Sequence, residues 1–156
     1  KVTKIIAGGE RRQDSVYQGL SQLDSDTRIV LIHDAVRPLV KSREIEEVIR
    51  RADQKGAAIL ASPMKLTVKK VNPTLEIIKT VPRHDLWMAQ TPQGFNRDLI
   101  FNAYEKIKNT NAELTDDAEV VEKAGHTVEI VSGSYDNIKI TTREDLKLAE
   151  LLLVKR

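Results

Sequence analysis

The chain has 156 residues, 40% of them apolar, with 25 Lys plus Arg against 23 Asp plus Glu and a formal net charge of +2, which is the composition of a single mixed-charge domain over residues 1–156. Interspersed charges of so small a sum create no basic field for nucleic acid, and the lack of cysteine excludes disulfides, thiolate metal sites and a Cys nucleophile. No apolar run approaches the roughly 20 residues of a membrane span, so a cytoplasmic protein is expected.

Apolar periodicity alternates between strand and helix types along the chain. Residues 2–7 read as a strand, broken by Gly8-Gly9, and Val16, Leu20 and Leu23 then recur at helical spacing. Lys1 stands first where Met would be expected and strand-like residues begin at once, which suggests a missing N-terminal part. Residues 28–34 form a nearly continuous apolar run, the pattern of a central parallel strand buried on both faces. Ser42 is placed to cap a helix with the stripe Ile45, Val48, Ile49 and Ala52 and a terminal Gly56, and residues 57–61 follow as a strand. Residues 63–82 break the rhythm: Val68, Val71, Ile77 and Ile78 lie in two β-type runs around Asn72-Pro73-Thr74, which predicts a projecting hairpin. After a loop at Thr91-Pro92, Asn96 is placed to cap a helix carrying Leu99, Ile100, Ala103, Tyr104 and Ile107, and Thr115 to cap one ending at Gly125. Strands over 127–131 and 138–140 and a final helix from Thr142 complete an α/β fold with a mostly parallel sheet and a projecting β-arm.

The strand-end segment His33-Asp34-Ala35-Val36-Arg37-Pro38 is the first constellation that could carry chemistry, because open α/β sheets bind ligands outside the carboxyl ends of their strands. Asp34 there can orient a divalent metal or accept from substrate hydroxyls, and Arg37 offers a fork of donors to phosphate. A helix cap and a surface ion pair account for the same two residues. The turn Gly8 to Ser15 could let backbone N–H groups approach a nucleotide, yet it has neither Walker nor dinucleotide spacing and reads equally as a connector. Arg83, Thr91, Thr115 and Lys139 each have a structural explanation alone, Trp87 reads as packing at the hairpin base, and Asp116-Asp117 read as complements of a helix dipole.

The ordered set Gly8 to Val16, His33 to Pro38, Leu86-Trp87-Met88-Ala89-Gln90-Thr91-Pro92-Gln93-Gly94-Phe95, Thr115 to Ala118 and Asp136 to Thr141 resembles the 2-C-methyl-D-erythritol 4-phosphate cytidylyltransferase family across the whole chain. The resemblance implies a Rossmann-like nucleotidyltransferase fold and Mg²⁺-dependent transfer of a cytidylyl group from CTP to methylerythritol phosphate. It also implies that Gly9, Glu10 and Ser15 recognise cytosine, that Ala35 approaches the ribose, and that Asp34 holds substrate hydroxyls near the metal. Arg37, Thr67, Arg83, Thr91, Thr115 and Lys139 would surround the sugar phosphate, with Arg83, Lys139 and Asp34 as the catalytic set. By the same resemblance the arm at 63–82 is exchanged in a homodimer, so that Thr67 and Arg83 serve the neighbour's site, and a plant protein would sit in the plastid.

Two departures stand out. Leu66 occupies a position usually acidic in the family, and nothing here resembles its glycine-rich Leu-Ala-Ala-Gly-x-Gly-x-Arg loop, so the chain is expected to be N-terminally truncated and impaired in CTP binding on its own. The competing expectations are a ribitol-5-phosphate cytidylyltransferase and a noncatalytic dimerisation or sugar-phosphate-binding module.

Overall fold

A computed structural model describes residues 2–107, 110 and 114–154. Its centre is a four-stranded sheet in the order β1-β5-β2-β6, made of β1 (Ile29–Ile32), β2 (Ala57–Pro63), β5 (Trp87–Asn96) and β6 (Glu129–Ser132). Strands β1, β2 and β6 point the same way, because β6 is parallel to β2 while β5 is antiparallel to both β1 and β2. The remaining strands, β3 (Val68–Val71) and β4 (Ile77–Val81), form a separate two-stranded sheet, the projecting arm that the two β-type runs predict.

Helices cover both faces. Helix α2 (Ser42–Lys55) packs on one face through Val48 and Ala52, which meet Ala58 and Leu60 of β2 and Val131 of β6. On the other face α1 (Arg12–Ser21), α3 (Arg97–Ile107) and α4 (Asp117–Lys123) bury Leu20, Ile100, Tyr104 and Val121 against Ala57, Ile59 and Phe95. Consecutive β2 side chains thus enter opposite cores, which is why that strand is apolar without alternation. Each fully buried Leu, Ile or Phe here contributes about 1.5–3 kcal/mol of transfer free energy. Helix α5 (Arg143–Val154) buries Ala149, and the preceding Thr142, where the sequence places the helix start, accepts through its hydroxyl from the Asp145 N–H at 3.2 Å. Gly56 ends α2 with φ 90°, a left-handed conformation that a side chain would strain.

Several sequence expectations are corrected. Residues 2–7 form no ladder, and Val2 and Ile5 are largely exposed, because no described strand lies beside them to take their backbone bonds. Strand β1 lies at one end of the sheet order, half-buried and antiparallel to its neighbour, where a central parallel strand was expected. Thr91-Pro92, expected to be a loop, lie within the longest strand, β5: Gln90, Pro92, Gln93 and Gly94 conceal it in the sequence, although residues 90–95 are all buried. Residues 138–140 are not a strand; a single backbone bond from Ile140 N–H to the Val36 carbonyl at 2.8 Å holds them. Three helix starts differ from the sequence reading, which places helical spacing after Asp14-Ser15 and caps at Ser42 and Thr115. Helix α1 begins at Arg12, α2 is preceded by Lys41 whose N–H donates to Glu44, and α4 is capped by Asp116, which accepts from the Glu119 N–H at 2.9 Å. Thr115 instead donates through both its N–H and its hydroxyl to Glu119, each at 2.9 Å.

Candidate functional site

At the carboxyl end of β1 the chain turns through His33 and Asp34, and there a polar cleft of about 240 Å³ opens, lined by Asp34, Arg37, Thr91, Thr115, Lys139 and Arg12. Three remote segments converge on one carboxylate. Lys139 Nζ lies 3.1 Å and Arg37 Nε 3.3 Å from Asp34 Oδ2, and Arg37 Nη1 also donates to the Asn137 carbonyl at 2.8 Å. Burial pushes the Asp34 carboxyl up, but the bonds from Lys139 and Arg37 outweigh it and hold the group below its ordinary value.

Strand β5 supplies the floor. The Asp34 N–H donates to Thr91 Oγ1 at 3.0 Å, and Thr91 Oγ1 lies 2.9 Å from His33 Nδ1. His33 Nε2 faces the Arg37 carbonyl at 3.2 Å. A carbonyl can only accept, so Nε2 carries a proton, and in neutral His33 the Thr91 hydroxyl proton points at Nδ1. The strand end, β5 and the Arg37 turn are thereby tied into one rigid corner. Asn137, fully buried, adds a second tie through Nδ2 to the Thr91 carbonyl at 2.9 Å and to Gln90 Oε1 at 3.1 Å.

Five of the expected site residues, Asp34, Arg37, Thr91, Thr115 and Lys139, therefore meet in one cleft. Two others stay at the arm. Arg83 donates to the Lys65 carbonyl at the base of the arm, and Thr67 lies on the arm itself, next to β3. The Gly8 to Ser15 turn closes on itself, Gly9 N–H donating to Ser15 Oγ at 3.0 Å, and Gly9, Glu10, Ser15 and Ala35 do not line the cleft. Gly9 is needed there, since a Cβ would sit 2.4 Å from the Asp14 Cβ.

The sequence reading missed a buried network beneath this cleft. Asp117, expected to face a helix dipole, is fully buried: it accepts from Arg12 Nη1 and Nη2 at 3.1 and 2.5 Å and from the Tyr104 hydroxyl at 2.6 Å. Gln93 Oε1 accepts from the N–H groups of Asp117 and Ala118, both at 3.1 Å, while Gln93 Nε2 donates to Asp116 at 2.9 Å. Burial and then the neighbouring Asp117 push the Tyr104 hydroxyl well above its ordinary value. Polar Gln90 and Gln93 within an otherwise strand-like stretch are the signal that points to it: buried amides need partners.

Mg²⁺ takes one or two carboxylates together with phosphate oxygens, and Asp34 fits that need, whereas both oxygens of Asp116 are already engaged with Glu119 and Gln93. Among the described residues no cluster of three His, Asp or Glu could hold a metal ion without a substrate's oxygens. The cleft can thus bind an anion between Arg37 and Lys139, accept hydroxyls on Asp34, and orient both against Thr91 and Thr115.

The family model of 2-C-methyl-D-erythritol 4-phosphate cytidylyltransferase matches residues 1–155. A 2-C-methyl-D-erythritol 4-phosphate cytidylyltransferase from Alkaliphilus oremlandii is 50% identical over all 156 residues, which span 66% of that relative, and one from Pelotomaculum thermopropionicum is 48% identical with the same spans. The crystal structure of 4-diphosphocytidyl-2C-methyl-D-erythritol synthase from Anaerococcus prevotii superposes with a TM-score of 0.88 at 35% identity, covering 97% of this chain and 67% of that one. The chain thus spans about two thirds of the length of these three relatives.

Proposed function

The chain belongs to the 2-C-methyl-D-erythritol 4-phosphate cytidylyltransferase family, and from that premise we propose that the protein carrying it transfers the cytidylyl group of CTP to 2-C-methyl-D-erythritol 4-phosphate. A phosphate oxygen of the sugar attacks the α-phosphorus of CTP, the bond from that phosphorus to the bridging oxygen breaks, and pyrophosphate leaves with the electron pair. The product is 4-diphosphocytidyl-2-C-methyl-D-erythritol, an intermediate of non-mevalonate isoprenoid biosynthesis.

The observation that carries this reading is the convergence of Asp34, Arg37 and Lys139 beside Thr91 and Thr115. Phosphoryl-type transfer requires cations and donors fixed around an in-line phosphorus and little covalent help. Lys139 and Arg37 offset charge on the reacting phosphates, Asp34 accepts from substrate hydroxyls, and the Thr91–His33–Asp34 corner keeps these groups in place. Mg²⁺ would be held by Asp34 with phosphate oxygens, and when bound it neutralises the developing negative charge. Gly9, Glu10, Ser15 and Ala35 are proposed to meet the cytidine.

Arg83 and Thr67 lie away from this chain's own cleft, and we assign them to the cleft of a second copy in a homodimer built on the arm. The arm's Val71, Leu75, Ile77 and Ile78 are exposed, and β3 and β4 pair with no other described strand. An isolated two-stranded hairpin is marginal in water, so a partner surface for these residues supports the arrangement. No described helix is long and apolar enough to cross a membrane, and we assign the reaction to the cytoplasm, or to the plastid in a plant.

The test is pyrophosphate release from CTP, 2-C-methyl-D-erythritol 4-phosphate and Mg²⁺. Release with a matching cytidine diphosphate product is expected. Equal or better turnover of ribitol 5-phosphate would reassign the acceptor, and tight sugar-phosphate binding without turnover would make the protein a binding module.

A further inference from the structure

Arg12 is a cation of the cleft that the mechanism above leaves unused. It is the first residue of α1, and its two terminal nitrogens grip Asp117. Asp117 is in turn fixed from α3 by the Tyr104 hydroxyl and from β5 by Gln93. Three elements therefore determine where one guanidinium sits.

Burying a carboxylate for this purpose is costly, and apolar side chains of similar volume would join α1 to α4 at least as well. A pair that only fastened two helices would also gain from being covered. Instead the Arg12 side chain remains 40% exposed and lines the cleft with Asp34, Arg37, Thr115 and Lys139. Arginine has five N–H donors in a rigid fork, and the grip on Asp117 occupies one on each terminal nitrogen. Among the described residues no other acceptor engages the remaining three. Arg37 and Lys139 both lean on Asp34, whereas the counter-ion of Arg12 is buried beneath it, away from any ligand. A guanidinium fixed from behind loses little freedom on binding an anion in front.

We propose that Arg12 is a further anion-binding residue of this cleft, donating to a phosphoryl oxygen. This rests on the reading of the cleft as a phosphate site. The oxygen belongs either to the phosphate chain of the nucleotide or to the phosphate of the sugar.

The experiment is titration calorimetry of the protein with three probes, CTP, 2-C-methyl-D-erythritol 4-phosphate and inorganic pyrophosphate. Three variants are compared with the parent: Arg12→Lys, the pair Arg12→Met with Asp117→Asn, and Tyr104→Phe. The paired change strands no buried carboxylate, and the asparagine still accepts from Tyr104; thermal melts verify the fold of each variant. Both Arg12 variants should weaken at least one probe by about ten- to a hundredfold, the range of a charge-assisted hydrogen bond. Losses with CTP and pyrophosphate assign the oxygen to the nucleotide, and a loss confined to the sugar phosphate assigns it to the acceptor. Tyr104→Phe, which keeps the Arg12 fork and removes one tie behind it, should lower the melt and weaken the same probe by less than the Arg12 variants do. Unchanged affinities in folded Arg12 variants, an equal loss in Tyr104→Phe, or a parent that binds none of the probes would overturn the assignment. A parent that binds pyrophosphate through Arg12 yet transfers no cytidylyl group would overturn the proposed activity and leave the Arg12 assignment standing.

Discussion

The Arg12–Asp117 pair should respond very unequally to the loss of either partner. Asp117 has no exposed surface, whereas the Arg12 side chain is 40% exposed and can turn to water if its partner is removed. Arg12→Met strands a buried carboxylate that keeps the Tyr104 hydroxyl as its side-chain donor. Breaking a buried pair from one side costs about 3–5 kcal/mol, and the remaining bond argues for about 3. At about 2–4 °C per kcal/mol for a chain of this size, the melting temperature should fall by roughly 6–12 °C. Asp117→Asn keeps an acceptor for Tyr104 and a backbone N–H for Gln93, but puts an amide NH2 where an oxygen accepts from Arg12 Nη2, so it loses the charge attraction and one hydrogen bond and should cost about 1.5–3 kcal/mol. Combining both changes removes the stranded charge, so the double variant should be about 1–2 kcal/mol less stable than the parent and more stable than Arg12→Met. Urea unfolding of the four proteins closes the cycle. A double variant whose loss equals the sum of the single losses within about 0.5 kcal/mol would refute the view of Asp117 as a carboxylate tolerated only because Arg12 neutralises it.

Lys139→Ala and Arg83→Ala should each lower kcat by about a hundredfold or more, since one lost cation near a transferring phosphorus is worth about 3 kcal/mol, while melts stay near the parent's; near-normal turnover in either folded variant removes that residue from the mechanism. The ion pairs on Asp34 should survive above its ordinary 3.8 and be lost as pH falls through the lower folded value, because a depressed carboxyl contributes stability only while ionised. Acid titration followed by the carboxyl resonance of Asp34 checks this, and a midpoint at or above 3.8 would contradict the geometry. For the arm, sedimentation at micromolar concentration should give a dimer, and mixing Arg83→Ala with Asp34→Ala subunits should restore about one good site per mixed dimer, because both defects then fall in the same composite cleft. A fully active monomer would rule the exchange out.

The parts of this fold that were legible in the sequence are those where one physical signal acts alone. The stripe of α2, the Asn96 start of α3 and the turn between β3 and β4 depend on local spacing and capping chemistry, and each is present. Strand β5 was hidden because Gln90, Pro92, Gln93 and Gly94 are chosen for the site and the buried network, which overrides the apolar pattern of a strand. The meeting of Asp34 with Lys139 was implied by the resemblance and is visible only in three dimensions, since 105 positions separate the two, as they do Arg12 and Asp117. Arg83 was grouped with them by family likeness, yet its own chain holds it at the arm.

The sheet order β1-β5-β2-β6 also has a consequence for synthesis on the ribosome. β1 and β2 share no ladder; both wait for β5, which emerges only after the arm has been made. Translation proceeds at roughly 5–20 residues per second, so two strands with open edges coexist with an apolar hairpin on the nascent chain for an interval on the order of seconds. Strand edges in that state are templates for misplaced pairing. The interval in which β1 and β2 both lack their shared neighbour thus closes when Asn96 leaves the exit tunnel, while the other edge of β2 waits for β6, and slowing elongation between residues 63 and 96 should lengthen that first interval.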